Sequence, residues 1–221
     1  MFNNLDATKF SGSIPLYDIN FEDILSKITV CYHKMIVDNS SIKNNENDIR
    51  DILLLKYLKN DIIREEIGLI PWLFEREVQE DHSVGRTDIK ISSEDTFKIT
   101  EAYYIIECKR LDSKNTTGKT GLNTEYIHNG IWRFTSKYYS SHYRVNAMIG
   151  FITKKLDIDK NIETLNQKLS KYTAINTTKN ITKSSFINNF QYHYDSEHLD
   201  KDDQKLKIYH LMFDFSANMA C

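Results

Sequence analysis

Asp88 is followed nineteen positions later by Glu107-Cys108-Lys109. Two carboxylates and an ammonium can do phosphate chemistry if the fold brings them together. Glu107 and Lys109 stand two apart in the apolar run AYYIIECKRL (102–111), which reads as a strand, so their side chains leave one face. Asp88 lies in GRTDIKIS (85–92), where Thr87, Ile89 and Ile91 alternate with Arg86, Asp88 and Lys90, again a strand pattern. Burying any of these charges unpaired is costly, so an acid and a base near the end of an apolar strand require a reason. If the two strands pair, both carboxylates converge beside the lysine. Mg²⁺ takes hard oxygen ligands and keeps several waters. Two carboxylates and a backbone carbonyl can hold it while leaving room for a phosphate oxygen and a nucleophilic water. A lysine alongside can orient that water or neutralise charge on the phosphate. The pattern points to phosphodiester hydrolysis assisted by Mg²⁺ or Mn²⁺.

The remaining elements must position these residues. Phe21, Ile24, Leu25 and Ile28 predict a helix from Phe21 to about Val37, with Asn20 as its N-cap and irregular chain before it. DNSSIKNNEN (38–47) is a connector, and a second helix is expected from about Asn47 to Glu66, closed by Gly68 and Pro71. WLFEREVQE (72–80) is a candidate strand, and SEDTFKITE (93–101) a polar connection. After the loop DSKNTTGKTG (112–121), a third helix is expected over 124–139, with Ile127, Ile131, Phe134 and Tyr138 as its apolar stripe. VNAMIGFIT (145–153) is a buried strand, and a fourth helix runs over 159–172. INTTKNITKSS (175–185) reads as a loop, and FINNFQYHY (186–194) with LKIYHLMFDF (206–215) as a closing hairpin. The expected architecture is α/β: one domain over 1–221, with a central mixed sheet flanked by helices.

Composition is compatible with this. The chain has 221 residues, 40% hydrophobic and 27% charged, enough to bury a core without staples. Few Gly (7) and Pro (2) argue against a many-turned β sandwich. Cys31, Cys108 and Cys221 are odd in number and widely spaced, which suggests neither a disulfide framework nor a zinc site and fits a reducing cytoplasm. MFNNLDATKF lacks the basic-then-apolar pattern of a secretory leader, and no apolar run is long enough to span a bilayer, so no membrane is expected as partner. The net charge of −2 gives no support for nucleic-acid binding. Its distribution says more: from Lys109 to Lys155 nine residues are Lys or Arg and only Asp112 and Glu125 are acidic. That segment is either a solvated surface or a basic stripe.

GRTDIKI, the gap and YIIECKR resemble the PD-(D/E)xK, or restriction-endonuclease-like, nucleases, over about residues 46–153. Thr87 stands where the family pattern has proline. The resemblance implies an α-β-β-β-α-β core over 46–153, with 1–45 as an N-terminal helical extension and 154–221 as an added helix and hairpin. These additions would shape the substrate groove or an oligomer interface, a homodimer included. It also implies metal ligation by Asp88 and Glu107, a further ligand in the backbone carbonyl of Cys108, and catalytic assistance by Lys109. The substrate would be nucleic acid, DNA foremost, in a role such as restriction or defence against phage. The motif is short, so two rivals stand beside it: an inactive nuclease fold acting as a nucleic-acid-binding or assembly module, and an accidental match.

Further candidates carry two readings each. Glu46 opens the second helix, as an acid does in some bacterial members, and can reach the metal or merely complement the helix dipole. Glu66 and Glu77 are weaker candidates for the same task. Tyr126, Gly130, Arg133 and Lys137 share one face of the third helix. Arg133 would bind the scissile phosphate, with Lys137 and Tyr126 contacting substrate and Gly130 admitting a close backbone. Otherwise Tyr126 packs, Gly130 relieves a helix–sheet contact and Arg133 pairs with a surface acid. His193 and His198, near Asp195 and Glu197, match no zinc spacing and read as a solvated turn. Trp72 and Trp132 read as core or interface aromatics.

Overall fold

The computed structural model describes residues 13–39, 41–80, 85–139 and 142–220. The run that carries Glu107 is strand β3 (Tyr103–Leu111), fully embedded in a seven-stranded sheet. The others are β1 (Leu73–Gln79), β2 (Arg86–Ser92), β4 (Val145–Ile152), β5 (Asn176–Lys183), β6 (His193–Leu199) and β7 (Lys205–Asp214). Their spatial order is β1-β2-β3-β4-β7-β6-β5. β4 pairs parallel to both β3 and β7, and every other pairing is antiparallel, so the sheet is mixed.

Helices cover both faces. α1 (Ser13–Val37) and α2 (Glu46–Ile52), which continues as a π-helical stretch (Leu53–Leu58), pack on one face. There Phe21, Ile24, Ile49 and Leu53 meet Ile106, Cys108, Ala147 and Leu211. α3 (Asp61–Glu66) and the single turn α4 (Asp95–Lys98) decorate the loops that follow. On the other face lie α5 (Leu122–Tyr126), a π-helical turn (Ile127–Ile131), α6 (Trp132–Thr135) and α7 (Ile158–Leu169). Ile127, Ile131, Ile162 and Leu165 meet Ile105, Met148, Ile208 and Met212 there. Each such side chain contributes about 1.5–3 kcal/mol when fully buried. β3 and β4 are apolar on both sides because both sides are covered. Among the described residues, no helix is long and apolar enough to cross a membrane.

Several sequence boundaries are corrected. Residues 1–12, with the MFNNLDATKF segment, lie outside the described residues, but the chain is already helical at Ser13, so Asn20 lies within α1 and does not cap it. The extra turns find a partner: Tyr17 stacks obliquely on Tyr143, with ring centroids 4.2 Å apart. The second helix is not continuous to Glu66. Asn60 accepts from the Ile62 and Ile63 amides and starts α3 anew. The third helix stops at Thr135, because Lys137 adopts a left-handed φ of 57° and the Tyr138 amide returns to the Arg133 carbonyl. The polar stretch 175–185 is not a loop but holds β5, an edge strand in which only Ile181 is buried. The segment 186–192 is not a strand: Ile187 and Phe190 are buried on the α1 face, and β6 begins at His193.

Candidate active site

β2 and β3 pair as far as Ile89 and Ile106, and the ladder stops there. Beyond that step the Asp88 side chain takes over the backbone's task. Its Oδ2 accepts from the Cys108 amide at 2.8 Å, which fixes Asp88 beside the end of β3. Glu107 and Lys109 leave β3 on the α5–α6 face, the face from which Ile105 and Leu111 enter the second core. Cys108 points to the other face, into the α1–α2 core. Burial raises its thiol well above the usual value, so the sulfur is an inert apolar group and only its carbonyl faces the acid–base cluster.

α2 brings in a third carboxylate. Asn45 caps the helix, accepting from the amides of Asn47 and Asp48 at 2.9 and 3.2 Å, which makes Glu46 the first helical residue. Glu46 Oε2 accepts from the Arg110 amide at 2.8 Å, and the Arg110 guanidinium returns to the carbonyl and side chain of Asn44, both at 2.9 Å. The start of α2 is thus bolted to the end of β3.

The Lys109 ammonium sits where these oxygens converge. Its Nζ is 2.7 Å from the Cys108 carbonyl, 2.8 Å from Glu107 Oε1, 3.1 Å from Glu46 Oε1 and 3.8 Å from Asp88 Oδ2. Burial alone would lower its pKa, but Glu107, Asp88 and Glu46 together outweigh burial and keep it protonated. Glu107 is 0% exposed. Burial pushes its carboxyl up, to about 7, and Asp88 adds to the rise, while Lys109 and Arg133 oppose it.

Two residues brace the cluster that the sequence pattern did not reveal. Arg50 is 2% exposed. It donates to Asp88 Oδ1 at 3.0 Å, to Glu77 Oε1 at 2.9 Å and through two nitrogens to Asp51 Oδ1. It stands one helical turn after Glu46, a spacing that places both on one face of α2 and would have been the signal. Tyr139 is the other: its hydroxyl donates to Glu107 Oε2 at 2.6 Å and accepts from Arg133 Nη1 at 3.0 Å. It reaches that spot because the left-handed Lys137 turns the chain back, which no periodic pattern signals.

The remaining candidates divide. Arg133 joins the centre, with Nη1 at 2.7 Å from Glu107 Oε1, so its partner is a buried catalytic candidate and not a surface acid. Tyr126 does not line a substrate path. It is fully buried, with its hydroxyl 2.8 Å from His210 Nδ1. Lys137 leaves the helical face proposed for it and is ion-paired with Asp202 on the β6–β7 turn, near Asp200. A Cβ at Gly130 would stand 2.2 Å from Met148 Cε, so Gly130 serves a helix–sheet contact. Glu77 reaches the site only through Arg50, and Glu66 pairs with Lys34 instead. His193 and His198 are buried in β6, not in a solvated turn. Cys221 lies outside the described residues, and Cys31 and Cys108 are free thiols.

An open cleft of about 360 Å³ borders the cluster, lined by Asn47, Arg50, Arg86, Asp88, Arg133 and Tyr138, with Glu77 at its rim. Two carboxylates, Asp88 and Glu77, share this lining with three guanidinium groups. Arg50 is taken up by acids, which leaves Arg86 and the Glu107-paired Arg133 as the cations that suit a phosphodiester. The donor set also fits a hard divalent ion: three carboxylates and one carbonyl, with no thiol or imidazole among them. Among the described residues, no group of three His, Cys, Asp or Glu side chains stands at metal-holding spacing; these carboxylates are spread around the ammonium. An ion held by all of them would take the place that Nζ occupies. Comparisons with family models, with curated proteins and with solved structures gave no match.

Proposed function

We propose that the chain is a divalent-metal-dependent nuclease acting on DNA, and that α2, β1–β3, α5–α6 and β4 form a restriction-endonuclease-like core. One observation carries this reading. Carboxylates from three separate elements, Glu46 of α2, Asp88 of β2 and Glu107 of β3, gather with the Cys108 carbonyl around one lysine. A fold gains little stability from burying such a cluster, since the desolvation of several charges offsets their attraction. Chemistry gives it a purpose.

Asp88, Glu107, Glu46 and the Cys108 carbonyl would hold Mg²⁺ or Mn²⁺, which when bound polarises a phosphate oxygen and acidifies a bound water. Arg133, held against Tyr139, presents its guanidinium where the cleft meets Glu107, and would bind the scissile phosphate. Arg86, exposed at the same cleft, would meet a neighbouring phosphate. Lys109, released from the carboxylates, would orient the attacking water or offset charge on the phosphorane oxygens. Arg50 positions Asp88 without touching substrate.

A second reading has its own support. Lys109 already satisfies the carboxylates around it, as it would in a nuclease fold that has lost activity and serves as a nucleic-acid-binding or assembly module. The deciding experiment is cleavage of circular and linear DNA in Mg²⁺ or Mn²⁺ by the wild type and by Asp88→Asn. Metal-dependent cleavage lost in the variant supports the nuclease. Binding without cleavage, equal in both proteins, supports the second reading.

A further inference from the structure

A second cavity lies away from this centre, between loop 112–121 and helix α7, with a volume of about 490 Å³. That size is typical of small-ligand sites. Lys119, Lys168 and Lys171 all line it, and no carboxylate does. None of the three has a carboxylate partner among the described residues. Lys168 Nζ donates to the Gly118 carbonyl and to Thr124 Oγ1, which leaves one of its three protons unused. Burial and the neighbouring Lys171 both act to lower its pKa, so the cluster is short of negative charge.

The walls are built and not incidental. Asn123 and Asn161 exchange buried side-chain hydrogen bonds at 2.7 and 3.2 Å, which tie α5 to α7. Asn123 also holds the Thr116 carbonyl of the loop at 3.1 Å, and Asn115 holds that of Thr120 at 2.7 Å. A Cβ at Gly118 would collide with Asn115 Oδ1, at 1.8 Å, so the loop closes this tightly only around glycine. Beside the lysines the lining is three threonines, Gly118 and Gln167, with Ile127 and Tyr172 as its large apolar side chains. The Tyr172 ring is set edge-on against His128, at 5.7 Å, and His128 stacks on Trp132 at 5.8 Å. The cavity therefore offers ammonium groups without carboxylate partners beside a fixed aromatic edge.

We propose that this cavity binds a nucleoside monophosphate unit, its phosphate on Lys119, Lys168 and Lys171 and its base against Tyr172 and Ile127. The unit is either a free nucleotide or the 5′-phosphorylated end of a strand. The proposal does not depend on the nuclease reading, because none of its residues belongs to the Lys109 centre.

Calorimetric titration of the full chain with AMP, at low ionic strength and with a chelator present, tests it. Saturable binding is expected, and Lys168→Met/Lys171→Met should weaken it about tenfold or more, the order for losing charge-assisted contacts. Lys119→Met, in the loop and outside any helix, should weaken it in the same direction if the double variant does not fold. Adenosine and inorganic phosphate should each bind more weakly than AMP. A 5′-phosphorylated tetranucleotide separates the sources: AMP binding without it assigns a free nucleotide, and binding of both assigns a strand end. No saturable binding of AMP overturns the site, as does affinity unchanged in both lysine variants. Affinity lost in Arg133→Ala but kept in the lysine variants would place binding at the other centre, and phosphate binding as tightly as AMP would remove the role of the base.

Discussion

Lys109 Nζ lies 3.1 Å from Glu46 Oε1, although 63 positions separate the two residues. The contact joins the first residue of α2 to the end of β3, and it makes Glu46 part of the same charge cluster as Asp88 and Glu107. A carboxylate that served only the helix dipole would face solvent. Glu46 instead spends one oxygen on the Arg110 amide and the other on Lys109.

Glu46→Gln keeps the size of the side chain but removes the charge and one acceptor, so its amide oxygen can accept from the Arg110 amide or from Lys109 but not from both. In the nuclease reading it should shrink the rise in Tm produced by Mn²⁺, because preferential binding to the native state is weakened. Cleavage should fall as metal affinity falls. Thermal scans across a Mn²⁺ titration measure this, and a shift identical to that of the wild type would remove Glu46 from the metal site.

The basic stretch 109–155 does not act as one stripe. Arg144 is spent on Asp200 and on the carbonyls of Gln204 and Lys205, and Lys137 on Asp202. Phosphate contacts should instead come from Arg86 and Arg133 at the cleft. Binding of a short duplex, measured against salt, should therefore show a shallower slope in Arg86→Ala, by about one unit for one lost phosphate contact. Lys137→Ala should leave the slope unchanged. The reverse pattern would move the binding surface to the β6–β7 turn.

Acid should weaken the fold through two buried histidines. His210 bridges Tyr126 and Ser196, and Ser196 leads on to His198, which meets Thr177. Burial pushes His198 down to about 4, and burial together with His198 pushes His210 down to about 3. Both are neutral in the folded chain while the unfolded chain titrates near 6.5. The histidine contribution is thus complete above pH 6.5 and falls as pH drops toward 4, by about 1.4 kcal/mol per pH unit for each histidine. Glu107, whose raised carboxyl takes up a proton first in the folded chain, offsets about one histidine's share and leaves a net loss of stability toward acid. Urea melts from pH 8 to 4 should show this slope, and His198→Gln should make it less steep. An unchanged slope in His198→Gln would assign acid lability to other groups.

What was legible in the sequence followed from periodic burial. Ile89 and Ile91 alternating with Asp88 gave β2 and the face of Asp88, and the run 103–111 gave β3, because two covered faces demand unbroken apolar residues. β5 escaped because an edge strand with one wet face reads as Asn, Thr and Lys with a single buried Ile181. Phe186, Ile187 and Phe190 misled in the opposite sense, as apolar residues of a loop that plugs the α1 face. At the site, the strand-borne triad obeys the period of two, whereas Tyr139 arrives through a left-handed turn at Lys137. Pairing of Lys137 with Asp202 depends on a turn distant in sequence, so charge counting along the chain could not foresee it.

The Lys109→Met variant separates the two readings of the centre most directly. Removing the ammonium leaves Glu46, Asp88 and Glu107 facing one another with Arg133 and Arg50 as their nearest cations. Breaking a buried ion pair on one side typically costs about 3–5 kcal/mol, so the variant should melt earlier than the wild type in chelator. Glu107, already pushed up by burial, loses a cation that opposed the rise and becomes easier to protonate. In the nuclease reading, Mn²⁺ replaces the missing charge, so the metal should restore much of the lost Tm and raise it more than in the wild type. Cleavage should nevertheless remain low, by about 10²–10³-fold, because the group that acts on the attacking water is gone. An inactive fold predicts the same loss of stability without rescue, since its carboxylates were kept for the lysine alone. Thermal scans in chelator and in Mn²⁺, beside cleavage assays on the same samples, distinguish the outcomes: a variant rescued by metal yet cleaving at the wild-type rate would end the catalytic role of Lys109, and one that metal does not rescue would end the metal site.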